Sequence, residues 1–121
     1  MRFLLTLSLL GWLATASAES IRMLIQSSPL AGSQYHALDE FWREIRVGDR
    51  LDLIREPDNR YDSKAIRVEW RGHQLGYVPR TQNRIIAGAI DAGERLSARV
   101  SLMSDNENPW QRLAFEVFIE L

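Results

Sequence analysis

The chain contains no cysteine, so neither a disulfide framework nor a thiolate metal site is available, and a hydrophobic core alone must hold the fold. Histidine is nearly as scarce: His36 and His73 are the whole complement, with no partner at a spacing such as H-x-x-x-H that would build a metal pair. Excess charge is missing as well. Fifteen Lys and Arg against sixteen Asp and Glu leave a net charge of −1, which excludes a uniformly basic nucleic-acid binder but leaves room for a local basic patch. No glycine-rich phosphate loop precedes a helix, no G-x-S-x-G elbow occurs, and nothing in the sequence pairs the scattered acids. The stretch "DNRYDS" starts like a calcium loop at Asp58 and Asp62, yet Arg60 stands at its third position and Ser63 where glycine is required. These absences argue against an enzyme, a metal and a cofactor.

Long apolar runs are confined to the start. In "MRFLLTLSLLGWLATASAES", Arg2 gives a short positive region, Phe3 to Leu13 an apolar one, and Ala16-Ser17-Ala18 a small-x-small cleavage pattern. This predicts a signal peptide over residues 1–18 cut after Ala18, a single domain over 19–121, and export, most simply to a bacterial periplasm. The run is well short of the ~20 residues that span a bilayer, and no later segment is long and apolar enough.

The remainder reads as mostly β with one helix. "IRMLIQSS" (21–28) is a strand stopped by Pro29, and "RLDLIRE" (50–56) is a second. "AIRVEW" gives the clearest alternation, with Ile66, Val68 and Trp70 on one face and Arg67 and Glu69 on the other. Arg71-Gly72 turns it into "HQLGYV", which ends at Pro79. Beyond Pro79 the period changes: Ile85, Ile86, Ala89 and Ile90 fall at helical spacing, Thr81 or Asn83 can cap the start, and Gly93 marks the end. "LSARVSLM" and "LAFEVFIEL" add two strands around the polar loop "SDNENPWQR". Five or six short strands with one helix predict a small OB-like or modified β-barrel, since closure removes edges that so small a sheet cannot protect. The segment from Pro29 to Arg50 reads only as a long connection carrying Tyr35, Phe41 and Trp42.

Between the second and third strands, "EPDNRYD" explains itself as a turn. Pro57 fixes φ at the second position, Asp58 and Asn59 favour turns, and the Asp62 carboxylate can fold back onto backbone N–H groups. Such a turn requires neither Tyr61 nor Lys64, and a ring beside a carboxylate at a loop tip also suits a ligand.

Four stretches, "AGSQYHA", "VGDRLDLIREPDNRYDSKAIRVEW", "GHQLGYVPR" and the helix beginning near "QNRIIA", together resemble the HIRAN domain, a module found at the N-terminus of some DNA-repair ATPases. The resemblance implies an OB-like barrel that holds the 3′-hydroxyl end of single-stranded DNA, with terminal bases stacked on aromatics and an acid accepting the sugar hydroxyl. Carried over by position, it assigns Tyr35, His36, Tyr61, Asp62 and Tyr77 to the pocket and Trp110 to a further stacking ring; by their charge, Lys64, Arg80 and Arg84 are the candidates to neutralise phosphates locally. Two positions depart from that pattern: Gln34 stands where the DNA-binding members have arginine, and His36 replaces the second tyrosine of a pair. The chain carries no ATPase motor, so the hydrolase activity of multidomain relatives finds no support in it. Three readings stay open: a single-strand DNA-end binder, a periplasmic module for a peptide or cell-envelope ligand, and tyrosines that merely pack a barrel rim.

Overall fold

The computed structural model describes residues 21–121, and the signal peptide expected at 1–18, with its cleavage point, lies outside the described residues. Six strands alternate with two helices: β1 (Arg22–Pro29), α1 (Leu38–Phe41), β2 (Arg50–Arg55), β3 (Ile66–Trp70), β4 (His73–Tyr77), α2 (Arg84–Asp91), β5 (Leu96–Met103) and β6 (Leu113–Glu120). Short 3-10 turns at Ser33–Tyr35, Arg80–Gln82 and Pro109–Gln111 complete the chain. The strands form one antiparallel sheet in the order β1-β6-β5-β2-β3-β4.

Three bulges, at Leu24/Gln26 in β1, Val68/Glu69 in the β3–β4 pair and Val100/Leu102 in β5, curl this sheet. Its two ends then meet. Ala31, just past β1, exchanges both backbone hydrogen bonds with Tyr77 at the end of β4, each 2.9 Å long. The approach is so close that a methyl built on Gly76 would overlap the Ala31 carbonyl oxygen. A glycine inside a strand, unfavourable on propensity alone, is here the residue that lets the barrel close.

Local chemistry shapes the rest. In β3, Ile66, Val68 and Trp70 are buried while Arg67 and Glu69 lie on the other face, as the alternation predicts. Arg71 and Gly72 both take positive φ, 47° and 81°, the two-residue geometry whose twist matches that of the flanking strands. Inward residues from β2 to β6, with Leu30, Leu38, Ile45 and Ile86, fill the core, and Ile25 of β1 packs against it. Each such fully buried side chain contributes about 1.5–3 kcal/mol of transfer free energy.

Two expectations require correction. Ile85 is 68% exposed, and α2 instead buries Ile86 and Ala87 and packs Ile90 against the core. Neither Thr81 nor Asn83 caps α2 with its side chain: Asn83 occupies the capping position, but with helical backbone (φ −92°, ψ −12°) in place of the extended one a side-chain cap uses. The connection from Pro29 to Arg50 also holds more structure than expected, because Leu38 and Ile45 anchor it in the core and α1 forms between them.

Candidate functional site

The loop from Glu56 to Ala65 is built almost entirely by its own side chains. Glu56 C=O accepts the Asn59 N–H across Pro57-Asp58, which closes the turn. Asn59 Oδ1 then accepts the N–H groups of Tyr61 at 2.9 Å and Asp62 at 3.1 Å, and Asp62 Oδ1 accepts that of Lys64 at 2.9 Å. These bonds satisfy the backbone locally. They leave the Tyr61 ring projecting.

Longer-range partners fix the loop to the barrel. The Arg55 side chain, only 13% exposed, donates to the carbonyls of Ser63 and Ala65 and forks onto both oxygens of Asp91 at 2.9 and 3.1 Å. Glu56 Oε1 accepts from Asn59 Nδ2 at 2.9 Å and from the Tyr77 hydroxyl at 3.0 Å, while Oε2 takes Arg67 Nη1 at 3.1 Å. Asn83, almost fully buried, donates its amide to Asp62 Oδ2 at 2.7 Å. One carboxylate thus orients Tyr77 and Asn59, and a buried amide orients Asp62.

The result is an open cleft of about 640 Å³ lined by Gly32, Tyr35, His36, Asn59, Tyr61, Asp62, Ala65, Tyr77, Val78 and Arg80. Its rim carries Tyr35 and Tyr61, which are 79% and 78% exposed. The His36 ring meets Tyr77 edge-on at 5.7 Å between centroids. Burial pushes the Asp62 carboxyl up, but the Lys64 N–H, the Asn83 amide and the nearby Arg80 and Arg55 outweigh it and hold the group below its ordinary range. Glu56 follows the same pattern, with burial overcome by Asn59, Tyr77 and Arg67. Burial, reinforced by Glu56, raises the Tyr77 phenol, and burial lowers the His36 imidazole against the opposing pull of Glu56. Asp62 is therefore an ionised acceptor flanked by aromatic rings.

Five of the six residues expected to form a pocket, Tyr35, His36, Tyr61, Asp62 and Tyr77, come together on this cleft, and Arg80 joins them. Trp110 does not line it. That ring sits half-exposed in the Pro109–Gln111 turn, whose start is capped by Asn108. Arg84 lines a separate shallow groove with Gln26, Ser27, Thr81, Gln82 and Ile85, and Lys64 contributes its backbone N–H to Asp62 rather than its ammonium to the cleft. The sequence reading missed Gly32, Ala65 and Val78 as lining and Arg55, Glu56 and Asn83 as supports. Only Asn59, a turn former beside Pro57, carried a local signal. Among the described residues no group of three or more His, Cys, Asp or Glu could hold a metal, and no helix is long and apolar enough to cross a membrane.

Known proteins place this architecture. A crystal structure of a protein from Lactobacillus plantarum superposes with a TM-score of 0.72 at 28% identity, covering 84% of this chain and 97% of that one. The HIRAN domain of human HLTF superposes with a TM-score of 0.63 at 19% identity, covering 82% and 78% respectively, and shares the fold. No curated protein matches the chain. The family model of the HIRAN domain matches residues 24–121, from β1 through the closed barrel to the end of β6, and the chain therefore belongs to the HIRAN domain family.

Proposed function

We propose that this protein is a non-catalytic nucleic-acid-binding module whose cleft holds the 3′-hydroxyl end of single-stranded DNA, and that it works outside the cytoplasm after loss of residues 1–18. The observation that carries the reading is the meeting of two exposed tyrosine rings with an ionised, hydrogen-bonded aspartate in one cleft. A folded domain gains by burying tyrosine, and each ring left in water around an acceptor is available to stack on a base, worth about 1–3 kcal/mol. Asp62 accepts one hydrogen bond on each oxygen from the protein, so lone pairs remain for a ligand hydroxyl. The same carboxylate repels a phosphate. This combination favours a free hydroxyl end over a phosphorylated one, while Arg80 can meet a phosphate further along the strand.

Titrating the purified protein into single-stranded oligonucleotides that differ only at the end, 3′-hydroxyl against 3′-phosphate, tests this directly. The hydroxyl end is expected to bind about tenfold or more tightly, from one charge-assisted hydrogen bond gained and one repulsion avoided. Tyr61→Ala and Asp62→Asn, checked for folding, should erase the preference. Binding that ignores the end would defeat the 3′-end reading. No binding to any oligonucleotide would shift the cleft to a peptide or cell-envelope ligand.

A further inference from the structure

Electrostatic balance in the cleft leaves one residue undetermined by the 3′-end reading. Arg80 is the permanent cation among the lining residues, and Asp62 faces it as a permanent anion. Behind Tyr77, the single cation Arg67 is shared between Glu56 at 3.1 Å and Glu69 at 3.2 Å, so no positive charge is left over there. As it stands the cleft offers little net attraction to a polyanion. His36 also lines it, at the end of the Ser33–Tyr35 turn, with its backbone N–H held by the Ser33 carbonyl at 3.2 Å and its ring against Tyr77.

We propose that His36, when protonated, is a phosphate-contacting cation of this cleft and makes its affinity for an anionic strand rise as pH falls. The proposal rests on the nucleic-acid reading above and deepens it. Imidazole is the side chain whose charge changes near neutrality. Glu56, just past β2, is the carboxylate that acts on His36, and Asp62 from the loop lines the same cleft; both are held low and the Tyr77 phenol from β4 is held high, so these three keep their charge states while His36 titrates. His73, the other histidine, stacks on Phe41 at 4.0 Å and does not line the cleft. With His36 neutral, the lining charges of Arg80 and Asp62 cancel. With His36 protonated, the cleft that Tyr35, Tyr61 and Tyr77 also line gains a positive charge that can meet a backbone phosphate of a bound strand. Burial keeps the free imidazole neutral at neutral pH, and an incoming phosphate favours its proton, so binding takes up a proton as pH falls toward the free histidine's value.

Calorimetric titration of the protein with a 3′-hydroxyl oligothymidylate, at about pH 8 and about pH 5.5 and in two buffers of different ionisation enthalpy, reads this out. Wild type is expected to bind about tenfold tighter at the lower pH, the size of one charged hydrogen bond. It should take up part of a proton, and its dependence of log K on log salt should steepen by about 0.7. His36→Gln should show none of the three, and His36→Lys should bind tightly at both pH values without proton uptake. Two variants of opposite charge behaviour keep the test decisive if either fails to fold. Wild-type binding that is unchanged between the two pH values, or a His36→Gln protein that tightens as much as wild type, would overturn this proposal and leave the nucleic-acid reading intact. Absence of binding at both pH values would overturn both.

Discussion

Replacing Gly76 with alanine tests the closure of the barrel and the cleft together. The added methyl would overlap the Ala31 carbonyl oxygen and stand 3.1 Å from Leu30 Cδ1 and Cγ, so β4 and the end of β1 must separate. Separation weakens two backbone bonds, Ala31 N–H to Tyr77 and Tyr77 N–H to Ala31, each worth about 0.5–1.5 kcal/mol net. Overpacking against Leu30 adds about 1–3 kcal/mol. The loss of unfolded-chain entropy that accompanies Gly→Ala acts the other way by about 0.4–1 kcal/mol. Destabilisation wins at about 2–4 kcal/mol, and since each kcal/mol shifts Tm by about 4–8 °C in a domain of this size, Tm should fall by about 10 °C or more. Gly88→Ala is the matched control: nothing lies within 4 Å of its added methyl, it sits inside α2, and the same substitution should stabilise by about 0.5–1 kcal/mol. Urea unfolding followed by tryptophan fluorescence and circular dichroism gives both values. A Gly76→Ala protein within about 0.5 kcal/mol of wild type, with ordinary surface substitutions, would refute the argument that this glycine is fixed by close backbone approach.

Other outcomes follow from single contacts. Asp49 Oδ2 accepts from the buried Trp70 indole at 3.0 Å and from the Arg46 N–H at 2.8 Å, so Asp49→Ala should cost about 1–3 kcal/mol by orphaning those donors, whereas Asp49→Asn should cost less; urea unfolding checks both. Glu56 and Asp62 have carboxyls held low in the folded state, so the stability they contribute is full above their unfolded values and is lost as pH falls through the folded ones. Below about pH 4, near the unfolded carboxyl range, wild type should therefore lose stability more steeply than Glu56→Gln in thermal melts, and equal slopes would refute the role given to Glu56. Arg55→Lys keeps the charge but not the fork onto Asp91 and the carbonyls of Ser63 and Ala65, so oligonucleotide binding should weaken although Arg55 does not line the cleft.

Local bonding made much of this protein legible in the sequence. The Pro57-Asp58 turn, the folding back of Asp62, the Arg71-Gly72 hairpin, the burial of Ile66, Val68 and Trp70, and the stop at Gly93 each involve residues within a few positions of one another. Family resemblance carried five pocket residues to the same cleft and charge added Arg80, but spacing alone gave no reason for Tyr35 to meet Tyr61. Trp110 shows the limit, since a ring in a polar loop lies wherever its turn puts it, and this one, in the turn capped by Asn108, does not line the cleft.

What the sequence determined by itself is the set of turns, the alternation of the strands, and the presence of aromatic rings in excess of what the turns require. Tertiary structure alone decided that Gly76 is the closing point, that Asn83 supports Asp62 instead of capping α2, and that Glu56 couples Tyr77 to Asn59. The reason is distance along the chain. Asn83 and Asp62 are 21 positions apart, as are Tyr77 and Glu56, and no short-range periodicity records a partner that only barrel closure brings within reach.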